Sequence, residues 1–218
     1  MDLNAIQDFA PNRMSNLTAN QMRLPPEQEA IREKCFHPTG TFVEFTNEET
    51  EQSIPQRFEK IARLYPERLA LKTKNQQLTY AELNHCANRL ARAILARRGE
   101  GQEPIALVLP KGAALIVAMF GVLKAGKIFM PLDPALPHAR LSYLMEDAQA
   151  GLIMTNHDCI EVARDLTQHR DCIDIDDTDA GLGAENPGLS LGPDMLACIL
   201  YTSVQPDFPR ALSKIIAT

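Results

Sequence analysis

The run Ile105–Leu109 (IALVL) constrains this chain most. It is continuously apolar, without polar alternation, and closed by Pro104 and Pro110, which is how a strand buried on both faces reads. A strand covered on both sides needs a layer above it and another below. The sequence supplies them: a helical pattern over 112–125 with Gly126 as its stop, a strand over Lys127–Met130, a turn bracketed by Pro131 and Pro134, a helix over 137–148, and a strand over Leu152–Thr155. This order is two successive βαβ units, so the expected fold is α/β, a parallel sheet flanked by helices with right-handed crossovers. A helix over 158–169, a strand over Cys172–Asp174, an acidic surface loop over 174–194 and a buried strand over Leu196–Tyr201 (LACILY) continue it.

Upstream, two helix starts are written in the local chemistry. Ser53-Ile54-Pro55-Gln56 and Thr79-Tyr80-Ala81-Glu82 both have the form of a capping box, and losing such a cap costs about 1 kcal/mol. After the first, Ile54, Phe58, Ile61 and Leu64 recur at helical spacing, and Arg68–Thr73 reads as a strand. After the second, Leu83, Ala87, Leu90, Ala91, Ile94 and Leu95 form one stripe, which Arg97, Arg98 and Gly99 close. Residues 1–45 lack a sustained period and read as an extension with one short helix over 27–34.

Composition excludes several classes of function. The chain has 218 residues, 22 Lys+Arg against 28 Asp+Glu and a net charge of -6, which argues against a nucleic-acid binder or a protein of anionic membrane surfaces. The longest apolar stretch, Ala113–Leu123, is too short for a bilayer, which takes about 20 residues. The start, MDLNAIQDFA, lacks the charged and apolar regions of a signal peptide. The five scattered cysteines read as reduced thiols, and the expected location is the cytoplasm.

Three segments, in this order and at these spacings, resemble the adenylate-forming (AMP-binding) superfamily, in particular the adenylation domains of nonribosomal peptide synthetases. They are Leu78–Asn84 (LTYAELN) with Ala87–Ala91 (ANRLA), Leu123–Pro134 (LKAGKIFMPLDP) with Arg140-Leu141 and Glu146-Asp147-Ala148, and Ile199–Ser203 (ILYTS). The resemblance covers about residues 53–203. It implies an incomplete N-terminal subdomain of an adenylate-forming enzyme, divided as an extension (1–45), the N-terminal part of an AMP-binding domain (46–203) and an aberrant tail (204–218). It also implies a parent activity, in which a carboxylic or amino acid is activated with ATP and Mg²⁺ to an acyl-adenylate and passed to a carrier-protein or CoA thiol. The first two segments are largely structural in that family. The third opens a loop of the form Gly-Ser-Thr-Gly-x-Pro-Lys-Gly that holds the ATP phosphates, which makes Thr202 and Ser203 the cofactor-binding candidates here. No residue is assigned as catalytic or as a metal ligand.

After Ser203 the chain departs from that pattern. Val204, Gln205, Pro206, Asp207, Phe208, Pro209, Arg210 and Ala211 stand where the glycine-rich loop is expected. Val204 resists the positive φ that glycine adopts, and Pro206 has no amide to offer. Asp207 would face a polyanion; at ~4 Å and an effective dielectric of about 20 that costs roughly 4 kcal/mol per unit charge. A one-nucleotide deletion accounts for all of this together. Codons within the degeneracy of Val204–Thr218, preceded by one added G, encode Gly-Ser-Thr-Gly-Phe-Pro-Lys-Gly-Val-Val-Gln-Asn-His-Arg-Asn. On this reading the tail is out of frame, and the acyl pocket, the rest of the ATP site and the C-terminal subdomain have no counterpart in the chain. Two consequences are expected: inactivity, and apolar faces left uncovered around Ile105–Leu109 and Leu196–Tyr201, with unpaired strand edges and poor solubility.

Other constellations favour plainer readings. His157, Asp158, Cys159, His169 and Cys172 match no standard zinc spacing. His85-Cys86 lies within a helix, and adjacency in sequence does not oppose a nucleophile to its base. Asp174, Asp176, Asp177 and Asp179 lack the glycine and terminal glutamate of a calcium loop. Met119, Met130, Met145 and Met154 are core residues by default. The alternatives to an adenylation domain are a fatty-acyl-AMP or acyl-CoA ligase fragment, and a non-catalytic half-domain that binds a separately encoded partner. Sequencing the DNA of an independent isolate from the Ser203 codon onward checks the break: one base is expected to restore the glycine-rich loop. An in-frame Val204 with codons that cannot be shifted into that loop overturns the deletion.

Overall fold

The structure, a computed structural model, describes residues 49–167, 170–178 and 181–201 and the backbone of Ala211–Ile216. The expected helix over 27–34 lies outside the described residues, as do His169, Asp179, Thr202 and Ser203. The chain divides into Met1–Glu44 and Phe45–Thr218, and all the elements below belong to the second unit.

The elements follow in order: α1 (Ile54–Leu64), β1 (Leu69–Lys72), β2 (Gln77–Thr79), α2 (Tyr80–Arg98), β3 (Pro104–Val108), α3 (Ala113–Lys124), β4 (Ile128–Leu132), α4 (His138–Asp147), β5 (Leu152–Thr155), α5 (Ile160–Thr167), β6 (Asp171–Asp174), β7 (Leu196–Tyr201) and β8 (Ala211–Ile216). A single 3₁₀ turn, His157–Cys159, leads into α5. Both capping boxes form: Ser53 with Gln56, and Thr79 with Glu82. The Glu82 carboxyl is held below the usual range, chiefly by the Thr79 amide and then by the Thr79 hydroxyl.

The main sheet has the order β6-β5-β3-β4-β7-β8. Its first five strands are parallel, and β8 pairs antiparallel with β7. A separate antiparallel pair, β1-β2, stands before α2. Strand β2 is an addition to the sequence pattern, in which Thr79 is only a cap. Strand β8 is a second difference: the outer edge of β7 is paired, not open as expected.

Strand β3 is covered on both faces, as its composition requires. Ile105, Leu107 and Leu109 pack with Leu90, Ala91 and Ile94 of α2 and with Ala118 and Val122 of α3. Ala106 and Val108 face the other way, toward Leu141, Leu144 and Met145 of α4 and Ala163 and Leu166 of α5. Full burial of each such Leu, Ile or Val stabilises by about 1.5–3 kcal/mol. The expectation of an uncovered face here is therefore corrected: Ile105–Leu109 are at most 2% exposed, because α2 joins α3 on one side while α4 and α5 close the other. Strand β7 fits the expectation better, with Leu196 and Ile199–Tyr201 only half-buried. In α1 the buried residues are Pro55, Phe58 and Ala62, while Ile54 and Leu64 are exposed, so the apolar spacing overstated that face. Met130, Met145 and Met154 are fully buried.

The LKAGK segment shows why it is structural. At Gly121 a Cβ would lie 2.8 Å from Leu90 Cβ and 3.3 Å from the Ala87 carbonyl oxygen, so only glycine lets α3 cross α2 this closely. Gly126 ends α3 at φ +70°. Lys124 and Lys127 are both buried and both paired. The Lys124 ammonium donates to the Glu59 carboxylate and, at 3.3 Å, to Asn186 Oδ1. It also stands 5.8 Å from the centroid of the Phe58 ring. Burial pushes its pKa down, and Glu59 opposes that shift. Lys127 meets Glu103 at 3.0 Å. Arg98 binds the same carboxylate group at 2.7 Å, and the two cations hold the Glu103 carboxyl below its usual range, Arg98 most strongly.

Asn186 also accepts from Asn84 and Asn88, which clamps the segment 181–195 against α2 and α3. Removing one member of a buried ion pair is costlier than removing both charges together. Glu59→Gln is expected to lower stability by about 3 kcal/mol, and Lys124→Met with Glu59→Gln to recover much of that loss. Urea denaturation of the three proteins checks it; a double variant no more stable than Glu59→Gln contradicts the pairing.

Candidate functional site

In sheets of this kind ligands gather outside the carboxyl ends of the strands, where successive crossovers leave to opposite faces. Here α3 packs on one face and α4 and α5 on the other, so this rule points to the carboxyl end of β3 and its neighbours β4 and β5. Pro110-Lys111-Gly112 follows β3, and Asp133 follows β4, its Oδ1 accepting from the Ala135 amide at 2.9 Å. At the end of β5 the buried Thr155 hydroxyl donates to the Val108 carbonyl at 3.1 Å and ties the two strand ends together. Helix α3 begins at Ala113 with Gly112 as its cap and no side-chain hydrogen bond there.

The strand that carries the cofactor-binding candidates is β7. Its last residue, Tyr201, donates its hydroxyl to Asp147 Oδ2 at 2.7 Å and lies 3.4 Å from the Leu144 carbonyl. Burial, and then the Asp147 carboxylate, push the Tyr201 phenol above its ordinary pKa. This bond anchors β7 to the end of α4 immediately before Thr202 and Ser203, which lie outside the described residues. The Glu146-Asp147-Ala148 segment is legible as a motif, but its role as the anchor of Tyr201 is not.

The structure also sorts the other candidates. Cys159 is buried in the α4–α5 core and Cys172 is half-buried in β6; burial raises both thiols. His85 is exposed on α2 and Cys86 is half-buried beside it. His157 turns toward the residues that follow β6: its Nε2 lies 3.1 Å from Asp177 Oδ1 and 3.6 Å from Asp174 Oδ2, and its Nδ1 3.8 Å from Asp176 Oδ2. In the sequence His157 and the aspartates are separate features, and adjacent parallel strands β5 and β6 bring them together. The carboxylates are spread over both ring nitrogens. That arrangement suits an imidazolium with two donors.

Among the described residues no helix is long and apolar enough to cross a membrane. The sequence model of the AMP-binding enzyme family matches residues 58–203. The chain is 36% identical over 159 residues to phosphinothricin tripeptide synthetase PhsC of Streptomyces viridochromogenes, covering 71% of this chain and 14% of that protein. It is 34% identical over 164 residues to tyrocidine synthase 2 of Brevibacillus parabrevis, covering 74% of this chain and 4% of that protein. Among solved structures, the nonribosomal peptide synthetase FmoA3 with AMPPNP bound superposes with a TM-score of 0.67 at 26% identity, over 82% of this chain and 18% of that one. The N-terminal domain of FACL13 from Mycobacterium tuberculosis shares the fold, with a TM-score of 0.66 at 20% identity, over 72% of this chain and 43% of that one. The chain thus spans a small part of the synthetases it resembles. A buried parallel sheet, the paired lysines of its LKAGK segment and these likenesses together place the chain in the AMP-binding enzyme family, as part of a domain like the adenylation domains of nonribosomal peptide synthetases.

Proposed function

We propose that this chain carries the N-terminal part of an adenylation domain (46–203) whose parent reaction joins a carboxylic acid, specifically an amino acid, to ATP. The products would be an aminoacyl-adenylate and pyrophosphate, with the acyl group then passed to a carrier-protein thiol. The single observation that carries this reading is the family match over 58–203, which stops at the residue where the phosphate loop is lost. The peptide-synthetase relatives support an amino acid over a fatty acid, because the solved Mycobacterium tuberculosis fatty acyl CoA synthetase, at 20% identity, speaks to fold alone.

As it stands the chain is proposed to be inactive. Thr202 and Ser203 would begin the phosphate site, but the eight residues that follow do not fit ATP with Mg²⁺: they supply one arginine, two prolines, one aspartate and no glycine. The described carboxyl edge carries Asp133, Asp174, Asp176 and Asp177 beside Lys111 and His157, so it offers a polyanion no net positive patch. No step of the reaction is therefore assigned to residues of this chain. Residues 204–218 are read as an out-of-frame tail, and residues 1–45 as an extension.

A second reading, a half-domain that binds a separately encoded remainder, is supported by one feature. A groove of about 830 Å³ runs beside β7, lined by Leu196, Cys198, Ile199 and Tyr201 with Pro104 and Ile128.

ATP–pyrophosphate exchange with a mixture of the common amino acids separates these readings. The 218-residue chain is expected to give no exchange above the blank, and the chain read in the restored frame to give exchange with a subset of the amino acids. Exchange by the short chain alone overturns its inactivity. Exchange that returns on adding a separately expressed downstream half favours the second reading.

A further inference from the structure

His157 joins two segments at the carboxyl edge of the sheet, the turn after β5 and the chain after β6. The second segment has its own order. Ile175 N–H donates to the Thr155 carbonyl at 2.9 Å, extending the β5–β6 pairing by one residue. The Asp176 amide donates to Asp174 Oδ1 at 3.0 Å, which turns the chain so that Asp176 and Asp177 both reach His157. Ile175, Asp176 and Thr178 then form part of the wall of a cavity of about 220 Å³, which Ala113 and Ala114 at the start of α3 also line.

We propose that His157 is a pH-sensitive latch: its charged imidazole holds residues 175–178 against the end of β5, and loss of its proton releases that wall of the cavity. The charged groups that face the ring come from β6 and the segment after it, namely Asp174, Asp176 and Asp177. Its own turn adds Asp158 beside it in sequence, and α2 contributes Arg89, which lines the same cavity as Asp176. Three carboxylates around one ring are neutralised in part only while the ring is charged. A neutral imidazole keeps one N–H and turns a lone pair toward a carboxylate at its other nitrogen, so one side of the clamp becomes repulsive. The main-chain amide of His157, which donates to Asp176 Oδ2 at 3.1 Å, does not titrate and leaves a hinge on that side.

The direction follows from linkage. The carboxylates, Asp177 foremost through its hydrogen bond and then Asp174, raise the pKa of His157 above the ordinary histidine value. A group with a raised folded-state pKa contributes its full stabilisation below the unfolded value, and that contribution is lost as pH rises through the folded value. The latch is therefore closed in mildly acidic solution and opens toward alkaline pH. It does not depend on the adenylation reading, because it uses no ATP and no residue beyond Thr178.

Two measurements on the full chain test it. In an NMR titration the His157 ring is expected to titrate above an ordinary histidine, and Asp177→Asn to bring its midpoint down. In hydrogen exchange, normalised to the intrinsic rate at each pH, protection of residues 175–178 is expected to fall several-fold across that midpoint in the natural protein and to stay flat in His157→Gln. Asp177 is 74% exposed, so its replacement gives an arm that does not rely on the histidine variant folding. A His157 midpoint at or below the ordinary value overturns the proposal, as does the same pH dependence of exchange in His157→Gln. Ring signals that shift on adding micromolar zinc at fixed pH also overturn it, in favour of a metal site.

Discussion

Strand β3 cannot exist in water. Its five apolar residues, Ile105–Leu109, alternate between two cores, so neither side can be left open without exposing a row of Ile, Leu and Val. Most of the architecture answers that constraint. Right-handed crossovers in opposite directions place α3 on one face and α4 and α5 on the other. Helix α2, although it precedes the sheet, shares the first face with α3, where Leu90, Ala91 and Ile94 help cover β3 and β5. The requirement for close packing then reaches single residues: Gly121, where α2 and α3 touch, and Gly126, where α3 must stop so that β4 can begin.

Much of this was legible because the signals are local. A capping box involves four consecutive residues, and both expected boxes form; a buried parallel strand announces itself by lacking alternation, and β3 did so, whereas β7, read as buried, is half-buried at Leu196 and over Ile199–Tyr201. What escaped is what depends on partners far along the chain. Strand β2 is three residues long and exists through its pairing with β1. Ile54 and Leu64 keep the right period but remain 40% and 54% exposed. The stretch 174–194 reads as a plain acidic loop, yet Asn186 within it meets Lys124, Asn84 and Asn88, and nothing in the composition marks that residue.

The candidate site divides in the same way. The loss of the glycine-rich loop after Ser203 was legible from residue chemistry alone, since each replaced glycine removes a specific backbone freedom. The surroundings were not. Asp147 is the acceptor for Tyr201 only because the end of α4 meets β7, and His157 meets Asp174, Asp176 and Asp177 only because β5 and β6 are neighbours. Motifs present such residues as separate letters on a string, whereas a parallel sheet brings the ends of its strands to one edge.

Strand β7 joins the others on different terms. β3, β4, β5 and β6 pair with strands close to them in sequence, over several residues in each pairing. β7 reaches β4 from across α4, β5, α5, β6 and the segment clamped by Asn186, and its register with β4 is a single residue pair, Phe129 with Cys198. Contacts between distant segments carry a larger entropic cost of closure and form late. β7 therefore carries the largest closure cost of the parallel strands for the sparsest register with its neighbour. Apart from its pairing with β8, the last parallel strand is thus held chiefly at two points, the register pair with β4 and the bond from Tyr201 to Asp147 at the end of α4.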